Sequence, residues 1–322
     1  MQNPQISLED WLQDFCDPDI IDILDRITTA GKIISEKIKR APIESLYGLT
    51  AQINSHGEEV KTLDMLSNEQ FIINLKKSNF VAMMISEEED TVITANTLDG
   101  KYCVTFDPLD GSSNIDANIN IGSIFGIYPL SDNNHYLRPA KEMVCAGYIL
   151  YGSATILVLS LNDCVNGFCL DEQTGTFILT HSNIKMPIKM DIYSVNEGNY
   201  ETWKKPIADL INYLKLTDQS KNKKPYSLRY IGSMVADVHR TLLYGGLFMY
   251  PASNNATSGK LRYLYEVGPM AHIIKNAGGQ SLIDGSVDAL DYIPSTIHQR
   301  VPIFLGSIQN MTILSTFLSK NV

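Results

Sequence analysis

Two aspartates three residues apart, Asp107 and Asp110, flank Pro108 and Leu109 and run directly into Gly111, Ser112, Ser113 and Asn114. Carboxylates are hard oxygen donors, and Mg2+ demands such donors at tight octahedral distances. A proline presets a turn. The spacing therefore predicts that both carboxylates swing to one side at the end of a strand over 101–106, where they can bridge two ions with the Leu109 carbonyl as a further ligand. The small residues that follow should open a new element whose N–H groups face outward, as a helix start does when it holds an anion. Metal ligands and phosphate donors would then lie side by side. A plain Asp-Pro turn with an Asx cap accounts for the two aspartates but not for the appended Gly-Ser-Ser.

A second acidic run, Glu87-Glu88-Glu89-Asp90, follows the apolar stretch 81–85. Acidic runs are ordinarily solvated loops, but active sites of α/β sheets gather at strand ends, and this run sits at one. Other charges have simple structural explanations. Asp64 can cap the helix it begins, and Glu266 can flank one. Lys260 and Arg262 alternate with Leu261 and Tyr263 as on an edge strand. His239, Trp11 and Trp203 read as packing groups. Ser112 and Ser113 have no histidine motif beside them that would make either a nucleophile.

The elements that must position these residues come next. Asp17-Pro18 reads as a cap followed by proline at the first helical position. Ile20, Ile23, Leu24, Ile27, Ile34 and Ile38 then recur at helical spacing, predicting a helix to about Arg40 that Pro42 ends. The segment 47–59 reads as a mobile loop and 64–77 as a second helix. Strands are expected at 81–85, 101–106, 123–130 and 144–161, the last split by Gly152-Ser153, with a hairpin over 167–181 turning at 172–175. The second half should open with a strand at 191–195. Helices follow over 202–214, 233–243 and 269–276, with late strands at 247–250 and 302–305. The expected division is 1–185 and 186–322.

Of 322 residues, 44% are hydrophobic and 19% charged, as in a soluble globular chain, and the net charge is −10. That balance argues against nonspecific nucleic-acid binding, while a metal can still reverse the field locally for an anionic substrate. The five cysteines form no CxxC pair and read as reduced thiols of a cytoplasmic protein. The N-terminus carries no signal-peptide pattern. The uncharged stretch 143–161 is broken by its central glycine and reads as two buried strands, not a membrane span.

The string FDPLDGSSNID at 106–116 resembles the signature of class I fructose-1,6-bisphosphatases, and its shorter core is shared with inositol monophosphatases. Longer strings decide between them: KTLDMLSN, SEEED, YGSATILVL, SVNEGN, RYIGSMVADVHRTLLYGGLFMYP, GKLRYLYE and IHQRVPIFLGS all look like the bisphosphatase family, so the resemblance spans nearly the whole chain. It implies an α/β fold layered αβαβα in two α/β halves, a homotetramer, and Mg2+-dependent hydrolysis of the 1-phosphate of fructose 1,6-bisphosphate in gluconeogenesis, with Mn2+ as a substitute ion. It also implies roles. Glu87, Asp107, Asp110, Glu266 and the Leu109 carbonyl match metal ligands, and Glu58 an acid on a closing loop. Asp64 and Glu88 match the pair that handles the attacking water. Gly111, Ser112 and Ser113 match the cradle of the departing phosphate. Asn196, Tyr230, Tyr250, Lys260 and the Met234 backbone match groups on the sugar and its 6-phosphate. Arg229 matches an arginine that reaches a neighbouring subunit's site.

Some positions depart from the family pattern. Where a tyrosine often grips the 6-phosphate stands Asn199, with Tyr200 next to it. The AMP loop of animal members is replaced by Cys16-Asp17-Pro18-Asp19, and an AMP-pairing arginine by Pro129, although Lys101 and Tyr102 match AMP-contacting positions. Acids and a proline in a phosphate loop repel an anion and remove donors, so AMP control should be weak. The alternatives are a sedoheptulose-1,7-bisphosphatase, an inositol-phosphatase-type enzyme, which would carry a late Trp-Asp pair that this chain lacks, and a regulatory protein without turnover, which would lack one of the acids.

Overall fold

The computed structural model describes residues 5–44, 46, 49–53, 59–95, 100–130, 135–217 and 224–319, with backbone only for 49–53 and 59–61. Two sheets organise it. The larger has eight strands, in spatial order Thr176–His181, Cys164–Asp171, Thr155–Leu161, Cys145–Tyr151, Ile121–Pro129, Tyr102–Asp110, Val81–Ser86 and Ile93–Thr94. All its pairings are antiparallel except Val81–Ser86 with Tyr102–Asp110. The smaller has six: Ser227–Leu228, Ile192–Ser194, Leu247–Tyr250, Ile303–Gly306, Gln280–Ile283 and Val287–Asp288.

Side-chain alternation builds the layers. Along Cys145–Tyr151, Cys145, Ile149 and Tyr151 face a core made with helices Leu8–Phe15, Pro18–Glu44 and Thr62–Leu75. Ala146, Tyr148 and Leu150 face the opposite core, shared with helices Met234–Tyr244 and Gly268–Asn276. The small sheet closes that same core with Phe248, Ile303 and Leu305. Its other face sends Leu247, Met249 and Phe304 against helices Lys205–Lys215 and Ile308–Leu318. The stacking is αβαβα. A strand buried on both faces has no polar side, which is why the chain between Met143 and Leu161 carries no charge. Among the described residues no helix is long and apolar enough to cross a membrane.

Three local expectations are corrected. A first helix, Leu8–Phe15, precedes the expected one; Ser7 caps it by accepting from the Asp10 N–H (3.0 Å), and Leu8, Trp11 and Leu12 bury its apolar stripe. The next helix runs through Pro42 to Glu44. Proline there removes one donor in the final turn only, and Lys37 and Arg40 clamp Glu44 at 2.8 and 2.6 Å. Within the expected loop 47–59, the backbone of Leu49–Ile53 pairs antiparallel with Glu59–Lys61; residues 47, 48 and 54–58 lie outside the described residues.

Candidate active site

The strand Tyr102–Asp110 carries the first acids, and it does not end in a turn at Asp107-Pro108 as expected. Pairing with Ile121–Pro129 continues to Asp110, but Asp107 opposes Ile124 while Asp110 opposes Gly122. Three steps on one strand face two on the other, which is a β-bulge. On a regular strand, residues three apart point to opposite faces; the extra residue resets the phase and puts both carboxylates on one side. Pro108 occupies the bulge, a place where a strand tolerates a missing donor. The Ser123 hydroxyl on the neighbouring strand donates to the Pro108 carbonyl (2.7 Å), and the Leu109 N–H donates to Asp107 Oδ1 (2.9 Å).

Asp110 lies against the start of the Met234–Tyr244 helix. Its Oδ2 accepts from the Ser233 hydroxyl (2.5 Å) and the Val235 N–H (2.9 Å), and its Oδ1 accepts from the Met234 N–H (3.1 Å). One lone pair of Oδ1 therefore stays available. Gly111, next in sequence, sits at φ 80°, and a Cβ there would meet the Ser233 Cβ at 2.7 Å. The tight passage beside the helix requires glycine. Ser112–Ala117 then forms the short 3-10 turn that the small residues suggested.

Two further segments converge. The Glu87 N–H donates to the Phe106 carbonyl (3.1 Å), which pins the 87–89 segment beside the aspartate strand. Glu266 lies in a π-helical turn, Tyr263–Val267, that leads into Gly268–Asn276. Such single π turns recur at functional sites. The Leu264 carbonyl of this turn accepts from the Thr105 hydroxyl (2.9 Å), fastening it to the same strand. As a result, carboxylate oxygens of Asp107, Asp110 and Glu266 all lie within 4.8 Å of one another, and all three residues are buried. Asp64 is buried in the first turn of Thr62–Leu75; the helix starts two residues before it, so Asp64 is not the cap.

A cleft of about 340 Å³ gathers these groups; Asp64, Glu87, Glu88, the acid trio, Leu109 and the Gly111–Ser113 turn all line it. Tyr230, Met234, Tyr250 and an exposed Lys260 line the same cleft. Asn196 does not line it; its side chain accepts from the Gly198 N–H (3.0 Å) and caps the turn Glu197–Thr202. Asn199 and Tyr200 belong to that same turn, and the Tyr200 hydroxyl accepts from Asn212 (2.8 Å). Arg229 is exposed, and its guanidinium donates to the Leu228 carbonyl (2.8 Å). Glu58 lies outside the described residues.

Three residues of the site escaped the sequence reading. Arg262 is no solvated edge charge: it is 7% exposed, its Nη1 lies 2.5 Å from Glu87 Oε1, and its N–H donates to Glu266 Oε2 (2.6 Å). Ser233 caps the helix that holds Asp110. The buried Asp237 accepts from the Ile231 and Gly232 N–H groups (both 2.9 Å) and from Ser194 (2.9 Å), shaping the backbone beside Tyr230. Only Ser233 had a local signal, as a serine before a helical run.

The electrostatics are those of a cation site. Burial, then the charges of Glu87, Asp110 and Glu266, push the Asp107 carboxyl well above the carboxylate range. Burial and Glu87 do the same to Glu266, against the opposing pull of Arg262. Asp110 is pushed up by burial to about 6, its hydrogen bonds from Ser233, Val235 and Met234 opposing the rise. Crowded, desolvated carboxylates cannot all ionise alone. A divalent cation removes that conflict, and an all-oxygen donor set fits a hard ion.

Comparison with known proteins matches this geometry to one family. Residues 6–182 match the family model described as Fructose-1-6-bisphosphatase, N-terminal domain, and residues 186–319 its C-terminal domain. The chain is 50% identical over 299 residues to the cytosolic fructose-1,6-bisphosphatase of Oryza coarctata, covering 91% of this chain and 86% of that one. It is 49% identical over 296 residues to that of Spinacia oleracea, covering 90% and 86%. The crystal structure of Leishmania major fructose-1,6-bisphosphatase in holo form superposes with a TM-score of 0.94 at 40% identity, covering 98% of this chain and 100% of that one. The T-state structure of the same enzyme gives 0.88, covering 98% and 99%.

Proposed function

The chain belongs to the fructose-1,6-bisphosphatase family, and from that premise we propose how its cleft hydrolyses fructose 1,6-bisphosphate, the gluconeogenic reaction of that family. The observation that carries the assignment of residues is the buried acid trio, which lines one cleft together with Tyr230, Tyr250 and Lys260. Asp107, Asp110, Glu266, Glu87 and the Leu109 carbonyl would hold Mg2+, with Mn2+ able to replace it and Glu58 joining from its own segment. Bound by these residues, a divalent metal would supply positive charge to the phosphate oxygens.

The chain's own groups do the rest. Asp64 and Glu88 orient the attacking water and take its proton, aligning it with the 1-phosphorus. The Gly111–Ser113 turn holds the departing phosphate through N–H and hydroxyl donors. Tyr230, Tyr250, Lys260 and the Met234 backbone hold the sugar and the 6-phosphate at a fixed distance, which sets which ester faces the acids. Asn196 is a further sugar-phosphate contact implied by the family resemblance, although its side chain caps its own turn here. The exposed Arg229 serves a neighbouring subunit's cleft in a homotetramer. Residues 1–185 form the metal and phosphate half, and 186–322 the sugar-phosphate half.

The cytosol is the site of action, as for the relatives named cytosolic. Phosphate release with Mg2+ from fructose 1,6-bisphosphate, sedoheptulose 1,7-bisphosphate and inositol 1-phosphate tests the assignment. The first should be the preferred substrate; preference for the inositol ester would overturn it.

A further inference from the structure

His298 lies at the point where two acid-bearing segments meet. Its Nδ1 is 2.7 Å from the Tyr265 hydroxyl, and its Nε2 is 3.1 Å from the Glu89 carbonyl. A carbonyl only accepts, so Nε2 carries the proton, and in the neutral ring Nδ1 accepts from Tyr265. Tyr265 is fully buried and immediately precedes Glu266 in the π turn. Glu89 ends the segment that presents Glu87 and Glu88.

The same segment is tied from its other side. Asn68 donates to the Glu89 carboxylate (2.8 Å) and accepts from the Ser86 hydroxyl (2.7 Å), and Ser86 Oγ in turn accepts from the Glu88 N–H (3.2 Å). Asn68 lies one turn along the helix from Asp64. A continuous hydrogen-bonded path therefore runs from the Asp64 helix, through the 87–89 segment and the His298 ring, to the turn carrying Glu266.

We infer that His298 is a positioning residue: through Tyr265 and Glu89 it fixes the separation of Glu266 from Glu87 and Glu88, and so sets the metal affinity of the site. The inference rests on the metal assignment proposed above. His298 does not line the cleft. A purely local packing role would need only one of its two contacts. Both ring nitrogens are spent, and they bridge partners 209 and 33 residues away in sequence. Groups that orient metal ligands from behind typically account for about 10–100-fold in metal affinity.

The test is calorimetric titration of the full-length enzyme with Mn2+, together with the KM for fructose 1,6-bisphosphate at saturating metal. His298→Phe keeps the ring and removes both bonds; Tyr265→Phe removes one hydroxyl and keeps the packing. Each should weaken Mn2+ binding about tenfold and leave that KM unchanged, and the double variant should lose little more than either single one, because both break the same link. If His298→Phe fails to fold, Tyr265→Phe decides. Mn2+ binding unchanged in the variants, with the unaltered enzyme binding normally, would overturn the tether alone. No Mn2+ binding by the unaltered enzyme would overturn the metal assignment and the tether with it.

Discussion

Arg262 Nη1 and Glu87 Oε1 face each other at 2.5 Å inside the acid cleft, with side chains 8% and 12% exposed. A buried ion pair is costly to break by removing one partner, because the other charge stays desolvated. Arg262→Met should therefore destabilise the metal-free protein by about 3–5 kcal/mol. Saturating Mg2+ should recover part of that loss, since the cation takes over the compensation of Glu87. Denaturant unfolding with and without Mg2+ measures both effects.

Asp107 and Asp110 owe their common direction to the bulge, and their chemistry to their charge. Asp107→Asn and Asp110→Asn conserve shape and remove the charge. Asp110→Asn should keep its hydrogen bonds from the helix start only through the one oxygen it retains. Each variant should lose at least about 100-fold in kcat, the scale on which removal of one preorganised charge or donor acts. Steady-state phosphate release at raised Mg2+ separates lost turnover from lost metal binding.

The raised carboxyls carry a pH signature. Asp110 rises from 3.8 to about 6 in the metal-free protein. Between those values the folded state holds a proton that the unfolded state has released, so stability falls as pH rises through that window and stays lower above it. Metal binding needs the ionised form and removes this cost. Mg2+ should accordingly raise the melting temperature more at about pH 7.5 than at about pH 5. A calorimetric scan at both pH values with a fixed Mg2+ concentration checks it; an equal rise at both would contradict the assignment of these acids as ligands.

Control by AMP should be weak. Lys101 is already paired with Asp19, in the first turn of the long helix, at 2.9 Å, Asp17 adds a second acid just before that helix, and the Pro129 carbonyl is held by Arg138. An incoming phosphate would have to displace an existing ion pair beside two like charges. Inhibition of fructose 1,6-bisphosphate hydrolysis by AMP should show no low-micromolar component.

His239 adds a separate acid-sensitive point. Its Nδ1 lies 2.8 Å from the Tyr148 hydroxyl, and burial pushes its pKa down from 6.5 to about 4. The unfolded chain binds a proton there first, so this contribution is full above about pH 6.5 and is lost as pH falls towards about 4, amounting to about 3 kcal/mol at most. His239→Gln should flatten the stability profile in that window, as equilibrium unfolding across pH would record.

Much of the layered architecture could be read from the chain because it rests on local pattern. The isoleucines from Ile20 to Ile38 repeat at helical spacing, and the residues from Met143 to Leu161 are apolar on both strand faces. The identity of the acids was legible for a different reason: Asp107 to Ser113 is a contiguous string, and its neighbours in the cleft fall in strings that resemble one family. Arg262 was not legible. Alternation with Leu261 and Tyr263 describes an edge strand equally well, and burial of a charge depends on Glu87, far away in sequence.

What the sequence determined by itself was most of the inventory: the long helix from Pro18, most strands of the larger sheet, and a string of acids and small residues that resembles one family. Tertiary structure alone decided how the inventory is aimed. Asp107 and Asp110 share a face because register slips at Pro108 against a partner strand, not because proline turns the chain. Glu266 reaches them because a π turn is pinned by Thr105 from another strand. Hydrophobic period is a property of neighbours in sequence, whereas register, pairing and desolvation belong to neighbours in space.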